Sequence, residues 1–240
     1  GKVEVLLLTP QCQSAEVGLK AMLSWVPVVL NSSDVPNWND DYPFVAERTT
    51  TEIGGEVRLL RVALPQCADE GMAAWLEILD VDVVVCTGSR RNVSLWEPWM
   101  EGAASLLKAA VGSGLPTLGI CFGHQLLCKA LGGVVERADN RSDAVHDLTL
   151  TESGAVDPLF DGLPDPVALF THQDHVVESP KCTVLLCSAP HNRDVAVRVL
   201  DESGGLLPAW GVQFHPEAAK HRIQRSVSLG HVTDAEASSF

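Results

Sequence analysis

The chain has 240 residues, of which 46% are hydrophobic and 20% are charged, a balance that is typical of a globular protein and excludes bulk disorder. Acidic residues outnumber basic ones by 31 to 17, so the formal net charge is −14. A chain this acidic is not expected to bind nucleic acid or an anionic membrane nonspecifically, and its longest apolar runs are far too short to span a bilayer.

Short apolar runs alternate with amphipathic stretches in the first half of the chain. The apolar runs predict strands at Val3–Leu8, Val26–Leu30, Val57–Val62, Val81–Cys86 and Thr117–Ile120. The amphipathic stretches predict helices at Ala15–Ser24, Asp69–Leu79 and Trp96–Val111. This alternation favours an α/β fold with a mostly parallel central sheet and helices on both faces. Because the first run is typical of a strand, no signal peptide is expected there.

The second half of the chain has a different pattern. After Gly132 and Gly133, predicted strands follow one another at Leu148–Leu150, Val167–Phe170, Val184–Cys187, Val195–Val199 and Ala209–Phe214. They predict antiparallel or mixed strands added to the same domain, which we expect to include all of residues 1–240. The long polar segment 31–56 is expected to be a lid, an insertion or a mobile loop, and 221–240 a C-terminal helix and tail.

Seven cysteines occur, an odd number, and no two of them have C-x-x-C spacing. Several lie inside apolar runs, where a free cysteine behaves as a small hydrophobic residue. We therefore expect a reduced, cytoplasmic protein in which most of the thiols are structural.

The surroundings of Cys121 differ from those of the other cysteines. It directly follows a predicted strand, precedes an amphipathic stretch, and has Gly119 and Gly123 at i−2 and i+2. This is the spacing of the G-x-S-x-G nucleophile elbow with Cys in place of Ser. The N-terminus of the following helix favours a thiolate, and the backbone N–H of Phe122 could bind an oxyanion. A buried core cysteine beside two turn glycines is the alternative.

A candidate base lies at the end of the last predicted strand. His215 is followed by Pro216 and Glu217, and residues i and i+2 of an extended chain point to the same side. The Glu217 carboxylate could therefore hold one tautomer of His215 and stabilise its protonated form. A surface histidine beside a glutamate at a helix N-terminus is the alternative.

Two segments in combination, Gly119–Gln125 and Gly211–Glu217, closely resemble the class I, triad-type glutamine amidotransferase family. Thr87–Ser89 resembles that family's oxyanion loop, and its continuation to Trp99 is similar to stand-alone, GMP-synthase-like members. Thr171–Asp174 falls where the family has its His-x-Asp segment. The resemblance implies a flavodoxin-like core with added antiparallel strands.

The resemblance also implies a reaction. The family hydrolyses the side-chain amide of glutamine to glutamate and ammonia through a γ-glutamyl thioester, without a cofactor. Carried onto this chain, the nucleophile is Cys121, the acid and base is His215, and the carboxylate that orients His215 is Glu217.

The remaining site residues also follow from the resemblance. The backbone N–H groups of Gly88 and Phe122 would form the oxyanion hole. Gln125 would contact the α-amino and α-carboxylate groups of the substrate, and the backbone of Gln173 and Asp174 would do so from the other side.

Some features depart from the family's pattern. The stretch Arg137–His146 does not match the Gly-x-Glu-x-Gly-like segment that many relatives carry at the edge of the substrate site, and segment 31–56 has no obvious counterpart. His172 and His175 could suggest a metal pair, but no third ligand accompanies them at metal spacing, so no metal is expected.

Three functions are open at this point. The chain could be a glutaminase subunit that passes ammonia to a separate synthase subunit. It could act alone as a γ-glutamyl peptidase or hydrolase on γ-glutamyl compounds. It could also be a non-catalytic binding module, although the intact set of Cys121, His215 and Glu217 argues against this.

Overall fold

The computed structural model describes residues 2–8, 45–50, 56–62, 82–89, 91–163, 166–216, 224, 227–230 and 232–238. The predicted helices Ala15–Ser24 and Asp69–Leu79 and the predicted strand Val26–Leu30 lie outside these residues, as does Glu217.

The described strands, numbered in chain order, are β1 (Lys2–Leu8), β2 (Val45–Thr50), β3 (Glu56–Val62), β4 (Val83–Cys86), β5 (Thr117–Ile120), β6 (Val134–Asp147), β7 (Thr149–Leu150), β8 (Val167–Glu178), β9 (Thr183–Ala189), β10 (Asn192–Leu200) and β11 (Leu206–Val212). The described α-helices are α1 (Trp99–Gly112), α2 (Phe122–Ala130), α3 (Glu152–Ala155) and α4 (Asp234–Ser238), and a 3-10 turn spans Pro158–Phe160.

A parallel core forms one half of the main sheet. Strands β3, β1, β4, β5 and β11 lie side by side in that order, and each neighbouring pair is parallel. This is the strand order of a flavodoxin-like, doubly wound sheet. The predicted α/β fold with a parallel core is confirmed.

Antiparallel strands extend this sheet at both edges. Beyond β11 lie β10, β9 and β7, and beyond β3 lies β2. Within segment 31–56, expected to be a lid, an insertion or a mobile loop, Val45–Thr50 is a strand, because ladder hydrogen bonds to β3 hold this polar sequence in place. Pairing with a distant strand overrides a weak local preference.

Strands β6 and β8 form a separate antiparallel ribbon. The sequence predicts no strand over β6, because it lacks the alternation of apolar and polar residues there. In the structure, only Val135 and Val145 of the fourteen residues of β6 are buried. Its register jumps from Arg137 opposite Asp174 to Ser142 opposite His172. Residues 138–141 therefore bulge outward opposite a single residue of β8, at the edge of the site described below.

Helices α1 and α2 pack on each other and on strands β5 and β11 of the parallel core. The helix predicted from Trp96 begins at Trp99, with Pro98 at its N-cap, where a residue without an N–H loses nothing. Leu106 and Leu107 of α1 and Leu127 of α2 are fully buried in the core. Among the described helices none is long and apolar enough to cross a membrane.

Candidate active site

Cys121 lies at the sharp turn between β5 and α2. Its φ of 53° and ψ of −104° make it the only non-glycine residue with positive φ in the part of the chain that the structure describes. This conformation is costly for a residue with a Cβ. Two hydrogen bonds hold it: the Cys121 N–H donates to the Val212 carbonyl at 2.7 Å, and its carbonyl accepts from the Gln125 N–H at 3.1 Å.

The two glycines that flank Cys121 permit this turn. A Cβ at Gly119 would lie 2.5 Å from the carbonyl oxygen of Gly123, closer than real Cβ contacts. A Cβ at Gly123 would collide with the carbonyl oxygen of Cys86 at the end of β4. The first turn of α2 thus rests against the ends of two strands, which explains the G-x-C-x-G spacing physically.

Gly88, Cys121 and His215 meet at the carboxyl edge of three adjacent parallel strands, β4, β5 and β11. A Cβ built on Gly88 would lie 3.0 Å from Cε1 and 3.8 Å from Nδ1 of His215, and 3.6 Å from Cβ of Cys121. The structure therefore brings together the predicted nucleophile, the predicted base and one predicted oxyanion residue. This is the edge at which α/β sheets bind their ligands.

The His215 side chain is almost completely buried and is held by β8. The backbone N–H of His215 donates to the Leu169 carbonyl at 3.0 Å, and Nε2 of its ring lies 3.1 Å from Oγ1 of Thr171. Cε1 is the ring atom nearest to Gly88, and Nδ1 lies slightly farther from it. Thr171 is a site residue that the sequence analysis missed, since nothing distinguishes it there beyond its place next to the His-x-Asp segment.

Phe122, the other predicted oxyanion residue, is the first residue of α2. Its side chain is 1% exposed and stacks on Trp99, with ring centroids 5.9 Å apart. This packing fixes the position of Phe122, whose backbone N–H is the first one after Cys121 in the chain.

Gln125, one helical turn after Cys121, contacts Asp174 of β8. Nε2 of Gln125 donates to the Asp174 carbonyl at 2.6 Å and to Oε1 of Gln213 at 2.9 Å. Oδ2 of Asp174 accepts the backbone N–H of Ser94 at 2.7 Å. Gln213 and Ser94 are further site residues, and their positions within the matched segments are the only sequence signal for them.

Three buried polar atoms of this group have no hydrogen-bond partner within the described ranges. They are Oδ1 of Asp174, Nε2 of Gln213 and Oγ of Ser94. Because buried polar atoms are nearly always paired, three such atoms around Gln125 form an array that can bind a polar ligand with both donors and acceptors.

The side chain of Gln173 points to the bulge of β6. Its Oε1 accepts from Nη2 of Arg137 at 2.7 Å, and its Nε2 donates to the Ala138 carbonyl at 3.0 Å. Nη2 of Arg141 donates to the Thr171 carbonyl at 3.1 Å. The bulge is thus tied to the residues of β8 that lie beside His215.

Two histidines near the site, the buried His172 and the half-buried His191, are kept neutral. Burial, above all, lowers the pKa of His172 to about 3 and that of His191 to about 4. Nδ1 of His172 lies 2.8 Å from the Asp174 carbonyl and must donate to it. Its Nε2 therefore accepts from Nε2 of His191, 3.1 Å away.

Other candidates in the described residues do not form a second reactive site. Burial lowers the pKa of His124 to about 4, and its Nε2 faces the Asp194 carbonyl at 3.2 Å. Burial raises the pKa of Cys86 to about 12 and also raises that of Cys128. Within the described ranges, no group of three His, Cys, Asp or Glu side chains could hold a metal ion.

A family model described as glutamine amidotransferase class-I matches residues 51–228, more than half of the chain. A glutamine-hydrolyzing GMP synthase of Pyrobaculum aerophilum is 31% identical over 186 residues, which cover 76% of this chain and 32% of that protein. One subunit of a glutamine-hydrolyzing GMP synthase from Methanococcus maripaludis is 34% identical over 123 residues, covering 51% of this chain and 61% of that subunit. The chain thus matches less than two thirds of the length of these relatives.

Solved structures share the fold at low sequence identity. A glutamine amidotransferase from Thermotoga maritima superimposes with a TM-score of 0.61 at 17% identity, covering 94% of this chain and 81% of the other. A glutamine amido transferase from Methylobacillus flagellatus gives a TM-score of 0.64 at 20% identity, covering 95% and 75%.

Proposed function

Since the chain belongs to the class I glutamine amidotransferase family, we propose that it hydrolyses the side-chain amide of glutamine through a thioester on Cys121. The observation that carries the proposal is the contact geometry of Gly88, Cys121 and His215, with Cys121 in a strained backbone conformation. Strain of this kind is retained where the surrounding structure enforces it, and it is common at active sites.

In the first half of the proposed reaction, the Cys121 thiolate attacks the amide carbon of the glutamine side chain. The carbonyl oxygen becomes an oxyanion, which the backbone N–H groups of Gly88 and Phe122 stabilise. Protonated His215 then donates its proton to the amide nitrogen. The C–N bond breaks, ammonia leaves, and a γ-glutamyl thioester remains on Cys121.

In the second half, neutral His215 accepts a proton from a water molecule that attacks the thioester. The C–S bond breaks, glutamate is released, and the thiol is restored. We assign to Glu217 the role of orienting His215, on the strength of the family pattern and of its position two residues after His215.

The amino-acid end of the substrate is proposed to bind around Gln125. Among the described residues, Oδ1 of Asp174 and Nε2 of Gln213 have no partner: the first is an acceptor suited to an α-ammonium group, and the second is a donor suited to an α-carboxylate. The backbone of Gln173 and Asp174 is proposed to contribute from β8. Satisfaction of these atoms by substrate would account for their lack of partners.

The fate of the ammonia is proposed from the relatives. The Methanococcus maripaludis relative is named as one subunit of a glutamine-hydrolyzing GMP synthase, which implies a second subunit in that protein. By analogy, we propose that this chain acts as a glutaminase subunit whose ammonia is used by a separate synthase subunit.

The test of the proposed function is ammonia release from L-glutamine by the purified chain. Cys121→Ala is expected to lower the rate by roughly 10³-fold or more, because it removes the nucleophile. Cys182→Ala, at a partly buried free thiol elsewhere, is the matched control and should keep the wild-type rate. A glutamine-like chloroketone should label Cys121 alone in mass spectra. Wild-type turnover by Cys121→Ala would contradict the assignment.

A second candidate, hydrolysis of γ-glutamyl compounds, is favoured by two arginines of β6, one directly before the bulge and one at its end. Arg137 and Arg141 are exposed beside Gln173 and Thr171, and no described carboxylate forms an ion pair with Arg137. A guanidinium there could bind a carboxylate on the leaving group. When glutamate release is measured instead of ammonia, faster cleavage of γ-glutamylglycine than of γ-glutamylglycinamide would favour this candidate, and activity confined to glutamine would favour the role of a glutaminase subunit.

A further inference from the structure

Strand β8 holds His215 at two points. The Leu169 carbonyl accepts the backbone N–H of His215 at 3.0 Å, and two residues further on Oγ1 of Thr171 lies 3.1 Å from Nε2 of the imidazole. Both contacts come from β8, so one strand fixes both the backbone and the ring of His215. Nδ1 of the ring lies 3.8 Å from a Cβ built on Gly88, and Cβ of Cys121 lies 3.6 Å from the same point.

The position of the ring determines which nitrogen must carry a proton. If Nδ1 exchanges a proton at the thiol and the substrate, then Nε2 must remain N–H whether the ring is neutral or protonated. An N–H at Nε2 needs an acceptor, and Oγ1 of Thr171 is within hydrogen-bond distance. The hydroxyl proton of Thr171 can rotate away from the ring, so the oxygen can accept throughout the cycle.

From this geometry we propose that Thr171 is a positioning residue, which holds His215 in the Nε2–H tautomer and stabilises its protonated form. The inference rests on the proposed function, because it concerns the same histidine in the same reaction. It adds a neutral hydroxyl from β8 to the role proposed for Glu217.

Thr171 is itself held by the bulge of β6. Nη2 of Arg141 donates to the Thr171 carbonyl at 3.1 Å, and Nε of Arg141 donates to Oδ2 of Asp143 at 2.6 Å. Asp143 lies directly opposite Thr171 in the ladder. The bulge therefore fixes the backbone of Thr171, and the branched Cβ restricts its side chain to few rotamers. This gives β6 a role in the site through Thr171.

The kinetic test compares Thr171→Val, which keeps the shape and removes the acceptor, with Thr171→Ser, which keeps the hydroxyl. For glutamine hydrolysis, we expect Thr171→Val to lower kcat about 10-fold with KM nearly unchanged, since one hydrogen bond to a reacting group is lost. Thr171→Ser should stay within about threefold of wild type. Thr149→Val, at an exposed strand position in β7, is the matched control.

A second readout does not depend on turnover. Alkylation of Cys121 by iodoacetamide follows the thiolate, which a protonated His215 stabilises. Loss of the acceptor in Thr171→Val disfavours protonated His215, so the midpoint of alkylation should move to higher pH. The alkaline limb of kcat/KM should move to lower pH. Thr171→Ala offers a second removal of the hydroxyl if the valine variant does not fold.

The outcomes distinguish a failure of the positioning role of Thr171 from a failure of the proposed function. Rates and pH profiles of Thr171→Val equal to those of wild type would overturn the positioning role, as would a serine variant as slow as the valine variant. Absence of glutamine hydrolysis in the wild type would instead defeat the proposed function itself. In that case the alkylation profiles still decide whether Thr171 acts on His215.

Discussion

At the scale of single residues, the neighbouring atoms explain why glycine occupies two positions of the site. Gly88 is next to His215 and Cys121, and any Cβ there would press on the imidazole at 3.0 Å. Gly123 instead is next to the backbone of Cys86, which cannot move without disturbing β4. Gly88 therefore leaves room for the imidazole of His215, and Gly123 allows α2 to pack against the sheet.

We predict that Gly88→Ala folds normally and hydrolyses glutamine about 10- to 100-fold more slowly. The added methyl must displace His215, and a small displacement of a catalytic group can cost about 10²-fold in rate. Circular dichroism and kcat measured on the same preparation test this.

Gly112→Ala is the control for that measurement, because a Cβ at Gly112 meets no atom within 4 Å. It should match the wild type in both fold and rate. If Gly88→Ala were fully active, Gly88 and His215 could not be as close as the structure has them.

At the scale of elements, a buried ion pair connects the 3-10 turn to two strands of the sheet. Oδ2 of Asp157 accepts from Nη1 of Arg198 on β10 at 2.9 Å, and Oδ1 accepts from Nε1 of Trp210 on β11 at 3.0 Å. The Arg198 guanidinium also stacks over the Trp210 ring, 4.6 Å from its centroid. Asp157 is 5% exposed, so these partners replace most of its contacts with water.

Asp157→Ala is predicted to lower the free energy of unfolding by about 3–5 kcal/mol, because it leaves the Arg198 charge buried without its carboxylate. Urea unfolding followed by fluorescence measures this. In contrast, Glu97→Ala removes an exposed pair with Arg91 and should cost about 1 kcal/mol or less. Equal costs for the two variants would be inconsistent with a buried network at Asp157.

For the whole molecule, three neutral histidines link stability to pH: His124 and His172 are buried, and His191 is half-buried. The pKa values of His124, His172 and His191 are lowered to about 4, 3 and 4, mainly by burial. In the unfolded chain these groups take up protons near pH 6.5, while in the folded chain they stay neutral to about pH 4. The unfolded state therefore binds more protons in this window, and stability falls as the pH is lowered from about 6.5 to 4.

His124→Gln should flatten this dependence, since one of the three groups no longer titrates. The measurement is the free energy of unfolding in urea between about pH 7 and pH 4.5, compared with wild type over the same range. The slope is the relevant quantity, because the substitution also changes packing at every pH. An unchanged slope would show that His124 takes up its proton equally in both states.

Local sequence determined a large part of this protein. Patterns within about ten residues indicate the α/β class, the strands of the parallel core and the elbow at Cys121. Apolar periodicity distinguishes a strand from a helix locally, and two glycines close to Cys121 permit its sharp turn. The spacing of His215 and Glu217 is local in the same sense. These segments were also sufficient to indicate the family.

The tertiary structure decided what depends on distant partners. Strands β2 and β6 carry no local strand pattern and exist through pairing with β3 and β8. Likewise, the contact of Thr171 with His215 spans 44 positions of sequence, and that of Gln125 with Gln213 spans 88. The physical reason is that hydrogen bonds between strands far apart in sequence depend on register, and register is determined only when the whole sheet is assembled.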